Sequence, residues 1–208
     1  ASRGDVIIRI DAHCNYPSNY ISVLVNKLQE HNADNVGGLW NTIPGCDSRI
    51  CKAIAVASSN AFGVGNSLHK TGVSRVVKTD TVPFGCFRRD IFDRIGLFDE
   101  DLIRNQDDEF NGRIIKNGGA IFLIPEIVID YHARDTLGKM SQMYYQYGLF
   151  KPLVNRKLGS PATLRQLVPP LFVSAIISGI VLSVLFPMIL PVFAGGLALY
   201  LLISFGVS

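Results

Sequence analysis

The chain has 208 residues, with 20 Lys plus Arg against 17 Asp plus Glu and a net charge of +3. That length holds one ordinary domain or slightly more, and the small positive balance, with no basic stripe interleaved with aromatics, argues against a nucleic-acid partner. The four cysteines, Cys14, Cys46, Cys51 and Cys86, lack any Cys-x-x-Cys spacing, which argues against a zinc site.

Val6 to Ile10 is a short β-branched run broken only by Arg9, and it reads as a buried strand that delivers Asp11 and His13 to a strand end. Two ligands one residue apart on an extended tip can turn toward one cation, and a carboxylate with an imidazole suits Mn²⁺ or a similar borderline ion. Such an ion neutralises the charge that builds on a departing diphosphate. Because the chain opens at Ala1 without a Met and enters a core strand almost at once, it is expected to be a fragment lacking an amino-terminal portion.

Asn15 to Ser18 reads as a turn, with Ser18 or Asn19 capping a helix whose apolar face is Ile21, Leu24, Val25 and Leu28. Val36 to Trp40 is the next strand, and its two glycines permit close backbone approach. Asp47 or Ser48 caps a second helix to about Ser59, with Ile50, Ala53, Ile54 and Ala57 inward. This βαβα order predicts a mostly parallel sheet. Phe62 to Ser67 reads as a mobile loop, and with the polar segment to Lys78 it is expected to fold over the site. Cys46 and Cys51 could meet, but a cytoplasmic setting disfavours a disulfide and predicts buried thiols.

In the second half, Gly85 offers close backbone approach, while Phe84, Phe87 and Phe92 read as core in preference to a sugar-stacking platform. The acidic stretch Asp107-Asp108-Glu109 suits the first turn of a helix capped by Asn105 and carrying Phe110, Ile114 and Ile115 inward. Asp108 and Glu109 would raise the pKa of Asp107 if they face the same way, whereas the neutral Gln106 spares it one like charge. Ala120 to Ile124 and Ile127 to Ile129 read as two strands, the second leading into His132 and Arg134. A helix over Thr136 to Phe150, with Leu137, Met140, Met143, Tyr144 and Tyr147 on roughly one face, suits a membrane interface. Lys151, Arg156, Lys157 and Arg165 follow as a basic collar expected to meet anionic headgroups. From Gln166 to Ser208 there is no Asp, Glu, Lys, Arg or His, and Pro187 and Pro191 divide the run into Leu171 to Phe186 and Val192 to Val207, a candidate transmembrane hairpin. The collar places residues 1–165 in the cytoplasm.

Three of these motifs, in this order, resemble the inverting family 2 glycosyltransferases of the GT-A fold. Asp11-Ala12-His13 stands where that family has Asp-x-Asp; Gly96-Leu97-Phe98-Asp99-Glu100 matches its Gly-Phe-Asp-Glu turn; and Gln106-Asp107, followed by Phe110 and Arg113, stands where it has Glu-Asp, an apolar residue and Arg. The departures are His13 and Gln106. Gln142 to Gln146 lacks the Arg and Trp of the processive synthases' Gln-x-x-Arg-Trp, which favours single addition.

The resemblance, which extends to bacterial exopolysaccharide glucosyltransferases of the succinoglycan type, implies an α/β fold: a partial GT-A mixed sheet with flanking helices, then a transmembrane helical hairpin. Residues 1–150 would be the catalytic domain without its amino-terminal nucleotide-binding part, 151–165 a basic juxtamembrane segment and 166–208 the transmembrane helices. It implies Mn²⁺ or Mg²⁺ on Asp11, His13 and His132, donor contacts from Asp11, Arg134 and Gly85, and Asp107 as the base that deprotonates the acceptor hydroxyl. The donor would be a nucleotide-diphospho-sugar, UDP-hexose by resemblance, the acceptor a polyprenyl-linked saccharide, and the place the cytoplasmic side of a bacterial inner membrane. A catalytically inactive GT-A scaffold of a polysaccharide assembly complex is the alternative. A transport role fits poorly, since the apolar spans carry no ionisable residue to mark a pathway.

Overall fold

The apolar run at the amino end forms β1 (Val6–Ile8), shorter than expected and lying at the edge of the sheet, not at its centre. In the computed structural model, which describes residues 3–12, 14–65, 67–161 and 164–207, the chain then runs through β2 (Cys14–Asn15), α1 (Tyr20–Glu30), β3 (Asn35–Ile43) and α2 (Arg49–Ser59). Two single-turn helices follow, α3 (Ala61–Val64) and α4 (Leu68–Thr71), where a loop was expected. Next come β4 (Val77–Lys78), β5 (Cys86–Arg88), α5 (Asp90–Ile95), α6 (Gln106–Lys116), β6 (Ile121–His132) and α7 (Leu137–Leu158).

The strands form one mixed sheet in the order β1-β5-β3-β6-β2, with β4 also on β6. The expectation of a mostly parallel sheet is corrected: β3 and β6 run parallel, whereas β1 with β5, β3 with β5, β2 with β6 and β4 with β6 are antiparallel. Hydrophobic period identifies strands but carries no information on direction, which depends on where each connection ends. The two strands read around Pro125 are one strand. Proline cannot donate to the ladder, and the register with β3 jumps there, from Gly38 opposite Ile124 to Leu39 opposite Val128. The glycines of β3 admit that jump and the chain beyond it: a Cβ on Gly38 would lie 2.4 Å from Ile127 Cγ2, and one on Gly37 would lie 2.7 Å from the Pro83 carbonyl oxygen.

One face of the sheet packs Tyr20, Leu24 and Leu28 of α1 against Val36, Ile124, Ile127 and Ile129. The other packs Ile91 of α5 and Phe110 and Ile114 of α6 against Phe87, Ile121 and Leu123. Phe87, Phe92, Phe98 and Phe110 form an aromatic cluster on this second face, and with Phe84 buried, the phenylalanines serve as core. Two helix faces turn from their predicted positions. Ile21 is exposed while Tyr20 is buried in α1, and Cys51, Ile54 and Ala55 are the buried residues of α2, with Ile50 exposed. The buried Cys51 forms a disulfide with the exposed Cys46, their Cα atoms 5.5 Å apart, which corrects the expectation of free thiols at this pair.

α7 extends eight residues past Phe150, through Pro152, to Leu158. The collar residues expected to face lipid are partly engaged within the domain: Lys151 pairs with Asp108, and Lys157 Nζ lies 2.6 Å from Asp99 and 2.8 Å from Asp101.

By density of contacts the chain divides into residues 1–162 and 163–208. The second unit is a helical hairpin of α8 (Val168–Leu185) and α9 (Leu190–Val207), both long and apolar enough to cross a membrane. Pro187 begins the turn, whereas Pro191 sits in the first turn of α9, where its missing N–H has no partner to lose. The helices touch at Gly179, whose missing side chain makes room for the Phe193 ring, and at Phe172 and Tyr200, with ring centroids 4.8 Å apart.

Candidate active site

Beyond β1 the Arg9 N–H donates to the Gly85 carbonyl at 3.0 Å, so the strand end stays against β5 as it leaves the sheet. Asp11 follows. Its backbone N–H donates to the Tyr16 hydroxyl at 2.8 Å, and that hydroxyl lies 3.3 Å from the Asp11 carbonyl oxygen. The backbone is thus pinned from both sides, while the carboxylate has no ion pair among the described residues. His13 lies outside the described residues. β2 then pairs with the end of β6, Cys14 opposite Tyr131 and Asn15 opposite Asp130, which brings the chain after Asp11 alongside the segment that ends at His132. His132 is exposed, its Nε2 lying 3.5 Å from Asn15 Nδ2.

Among the described residues no three His, Cys, Asp or Glu side chains gather closely enough to hold an ion by themselves. A carboxylate and an imidazole are nevertheless donor types that Mn²⁺ or Mg²⁺ would take from a protein where diphosphate oxygens and water supply the rest.

Asp107 opens α6. Its Oδ1 accepts from the Asp108 N–H at 3.0 Å. The residue keeps some solvent exposure, but protein surrounds the carboxylate, and this desolvation pushes its pKa up; the neighbouring charge of Asp108 raises it further and Arg9 opposes both. Asn105, expected to cap α6 through its side chain, does not. It sits in the left-handed region at φ 60° and donates from Nδ2 to the Tyr147 carbonyl at 3.2 Å. With Arg104 Nε donating to Gln146 Oε1 at 2.9 Å and the Lys151–Asp108 pair, this docks the acidic turn onto α7. Arg113 holds the turn before it. The guanidinium chelates the buried Glu109 at 2.7 and 2.8 Å and donates to the Leu97 carbonyl.

Two tyrosines that the sequence did not single out as site residues link these parts. Tyr131 lies within electrostatic reach of both Asp11 and Arg134, and Tyr147 within reach of Tyr131, Arg134 and Asp107. Burial, with Tyr131 and Asp107 adding, pushes the Tyr147 phenol up to about 12 against the opposing Arg104 and Arg134, so it stays a hydrogen-bond donor at neutral pH. Arg9 is the third such residue. It stacks on Phe98 at 5.8 Å and lines an open cleft of about 320 Å³ with Phe98, Glu100 and Gln106, beside Asp107. Its spacing of two from Asp11 on an extended segment was the available signal; the tyrosines had none, because only the strand register and the docking of α7 bring them in.

At Gly85 the absence of a side chain serves the core. The residue is buried, and a Cβ there would lie 2.4 Å from both Asn35 Oδ1 and the Phe87 ring, so the room it leaves is occupied by the core. Arg134 lies beyond Tyr131, in the wall of a closed recess with Trp40, Thr42, Tyr144 and Tyr147.

The fold and site define a mixed α/β domain with a carboxylate-bearing strand end near Tyr131 and an acidic helix start near Tyr147. Residues 1–96 match the model of Glycosyl transferase family 2. It is 31% identical over 180 residues to the succinoglycan biosynthesis protein ExoA of Rhizobium meliloti (strain 1021), covering 86% of this chain and 53% of that protein. It is 29% identical over 164 residues to a dolichyl N-acetyl-alpha-D-glucosaminyl phosphate 3-beta-D-2,3-diacetamido-2,3-dideoxy-beta-D-glucuronosyltransferase of Methanococcus voltae, covering 75% of this chain and 49% of that one. The chain therefore spans about half the length of the curated relatives it matches. A crystal structure of GalNAc-T7 with UDP, GalNAc and Mn²⁺ superposes with a TM-score of 0.44 at 14% identity, over 63% of this chain and 28% of that one.

Proposed function

We propose that the protein is a membrane-anchored inverting glycosyltransferase. It moves a hexose from a nucleotide-diphospho-sugar, UDP-hexose in the first instance, to a polyprenyl-linked saccharide during exopolysaccharide or cell-surface glycan synthesis. The observation that carries this reading is the Asp107 carboxylate, held in a protein shell with a raised pKa, facing the Arg9 end of the strand that leads to Asp11. A carboxylate whose pKa is raised is the stronger base toward a hydroxyl that loses its proton as it attacks. Asp11, with His13 and His132, would hold Mn²⁺ or Mg²⁺; the ion would supply positive charge to the leaving diphosphate. The apolar hairpin would anchor the domain at the cytoplasmic face of a bacterial inner membrane and raise the effective concentration of a lipid-borne acceptor. The relative named for a dolichyl-linked sugar substrate supports that class of acceptor, and the one named for succinoglycan biosynthesis supports the polysaccharide setting.

The test is transfer of radiolabelled hexose from UDP-hexoses to lipid-linked saccharides by the full-length protein in membranes supplied with Mn²⁺ or Mg²⁺. Transfer that Asp107→Asn lowers by about 10²–10⁴-fold supports the reading. Absence of transfer, or transfer indifferent to Asp107→Asn, rejects the enzymatic role drawn here and favours the scaffold.

A further inference from the structure

Trp40 and Tyr131 stack at 4.2 Å with 4° between their ring planes, and beside them lies the closed recess that contains Arg134, with about 20 Å³ of free space. The chemistry of its wall is one-sided. Trp40 Nε1 and Thr42 Oγ1 are buried without a hydrogen-bond partner. An indole N–H can only donate, and a hydroxyl can. Lys70 Nζ sits 5.3 Å from the Trp40 ring centroid, Arg134 adds a second cation, and no carboxylate among the described residues lines the recess. Unpaired buried donors are costly, so a group that accepts from Trp40 Nε1 and Thr42 Oγ1 satisfies this wall, and beside two cations negative charge on it is favoured. Met140 and Met143 of α7 also line the recess. They are flexible apolar side chains, able to yield to an incoming group larger than the space now open.

We propose that this recess binds the phosphoryl head of a polyprenyl-phosphate-linked acceptor. Its oxygens accept from Trp40 Nε1 and Thr42 Oγ1 between Arg134 and Lys70, and the first isoprene unit lies against Met140 and Met143. The assignment rests on the transferase reading above and moves Arg134 from the donor's diphosphate to the acceptor's. The thioether wall decides between them, since a nucleotide continues from its diphosphate into a polar ribose and a polyprenyl chain into hydrocarbon.

Trp40 is the single tryptophan of the chain and a local probe. The full-length protein in detergent micelles is titrated with farnesyl diphosphate, farnesol, UDP and inorganic diphosphate, following the emission component that Trp40→Phe removes. Farnesyl diphosphate is expected to change it saturably, the other three only at concentrations at least about tenfold higher. Arg134→Gln and Thr42→Val should each weaken farnesyl diphosphate, Arg134→Gln by at least about tenfold, and Asp107→Asn should leave it unchanged. Equal response to farnesol would show an apolar pocket only. Equal response to UDP or inorganic diphosphate would return the recess to a free or nucleotide phosphate. Unaltered affinity in both variants, each shown folded by circular dichroism, would also overturn the proposal. Binding is read without turnover, so a protein that binds farnesyl diphosphate here but transfers no sugar refutes the transferase reading alone, and one that transfers sugar without a Trp40 response refutes this site alone.

Discussion

Lys151 of α7 forms an ion pair with Asp108 of α6, one residue beyond Asp107. The pair sets the electrostatics of the proposed base from outside it. Burial raises the Asp107 pKa most, Asp108 adds to the rise, and Arg9 lowers it. Because the base works ionised, activity falls as pH drops through that pKa. Asp108→Asn should therefore move the acidic limb of the kcat/KM profile to lower pH, and Arg9→Gln should move it to higher pH. Lys151→Met, which leaves the Asp108 charge unneutralised, should act in the same sense as Arg9→Gln. A limb that stays in place in all three variants would mean that Asp107 is not the titrating group.

Asp107 should also show opposite effects on activity and stability. A carboxyl whose pKa is raised by folding binds its proton more tightly in the native state. Its contribution to stability is therefore fully present below the ordinary carboxylate range and is lost as pH climbs through the raised folded value. Above the ordinary carboxylate range the group is therefore a net burden. Asp107→Asn removes that burden while its Oδ1 keeps the bond from the Asp108 N–H. The thermal midpoint at pH 7 should thus rise, by about 2–4 °C for each kcal/mol relieved, while transfer falls by about 10²–10⁴-fold. The gain should vanish near pH 3, which thermal melts across pH would show.

Residues whose role is local were readable in the sequence. Ser48 accepts from the Cys51 N–H at 3.2 Å and Thr136 from the Lys139 N–H at 3.2 Å, as polar residues before apolar helices do. Leu24 and Leu28 are buried at helical spacing. Residues whose role depends on a partner distant in sequence were not. The Trp40–Tyr131 stack exists because β3 and β6 pair in parallel after a register jump at Pro125, and the bond from Asn105 to the Tyr147 carbonyl exists because α7 crosses the start of α6. The collar shows the same limit. A run of Lys and Arg before an apolar segment looks the same whether it meets lipid or, as with Lys157, the carboxylates of Asp99 and Asp101.

Gly38 tests the register jump directly. A Cβ there would lie 2.4 Å from Ile127 Cγ2 and 2.7 Å from the Ile127 carbonyl oxygen, and the latter cannot rotate away. Gly38→Ala should destabilise by about 1–3 kcal/mol through overpacking. Gly65, in the left-handed region at φ 62° but with open space around it, should lose stability on substitution by alanine through backbone strain alone. Only Gly38→Ala should therefore be partly rescued by Ile127→Ala, which a double-mutant comparison of chemical denaturation midpoints resolves. Equal response of both glycines to Ile127→Ala would mean that close packing is not what Gly38 provides.

The Cys46–Cys51 disulfide closes a short loop that abuts the strand end bearing His132 and Arg134. A Cβ on Gly45 would lie 2.4 Å from the Ala133 carbonyl oxygen, the Ala133 N–H donates to the Ile43 carbonyl at 2.9 Å, and Cys51 Sγ lies 3.1 Å from the Asp135 carbonyl oxygen. A cross-link over so few residues restricts the unfolded chain by about 2 kcal/mol in the loop-closure model. Reduction should therefore lower the thermal midpoint by about 4–8 °C on the scale for a domain of this size. It should also loosen the backbone from Ile43 to Asp135, raising amide exchange at Ala133 before exchange at Ile129, deeper in β6. The Cys46→Ser, Cys51→Ser double variant should start at the lowered midpoint and ignore reductant. A wild-type midpoint indifferent to reductant, with both thiols alkylatable in the native protein before any reduction, would mean that the two sulfurs are not bonded and that the strand end is braced by its backbone contacts alone.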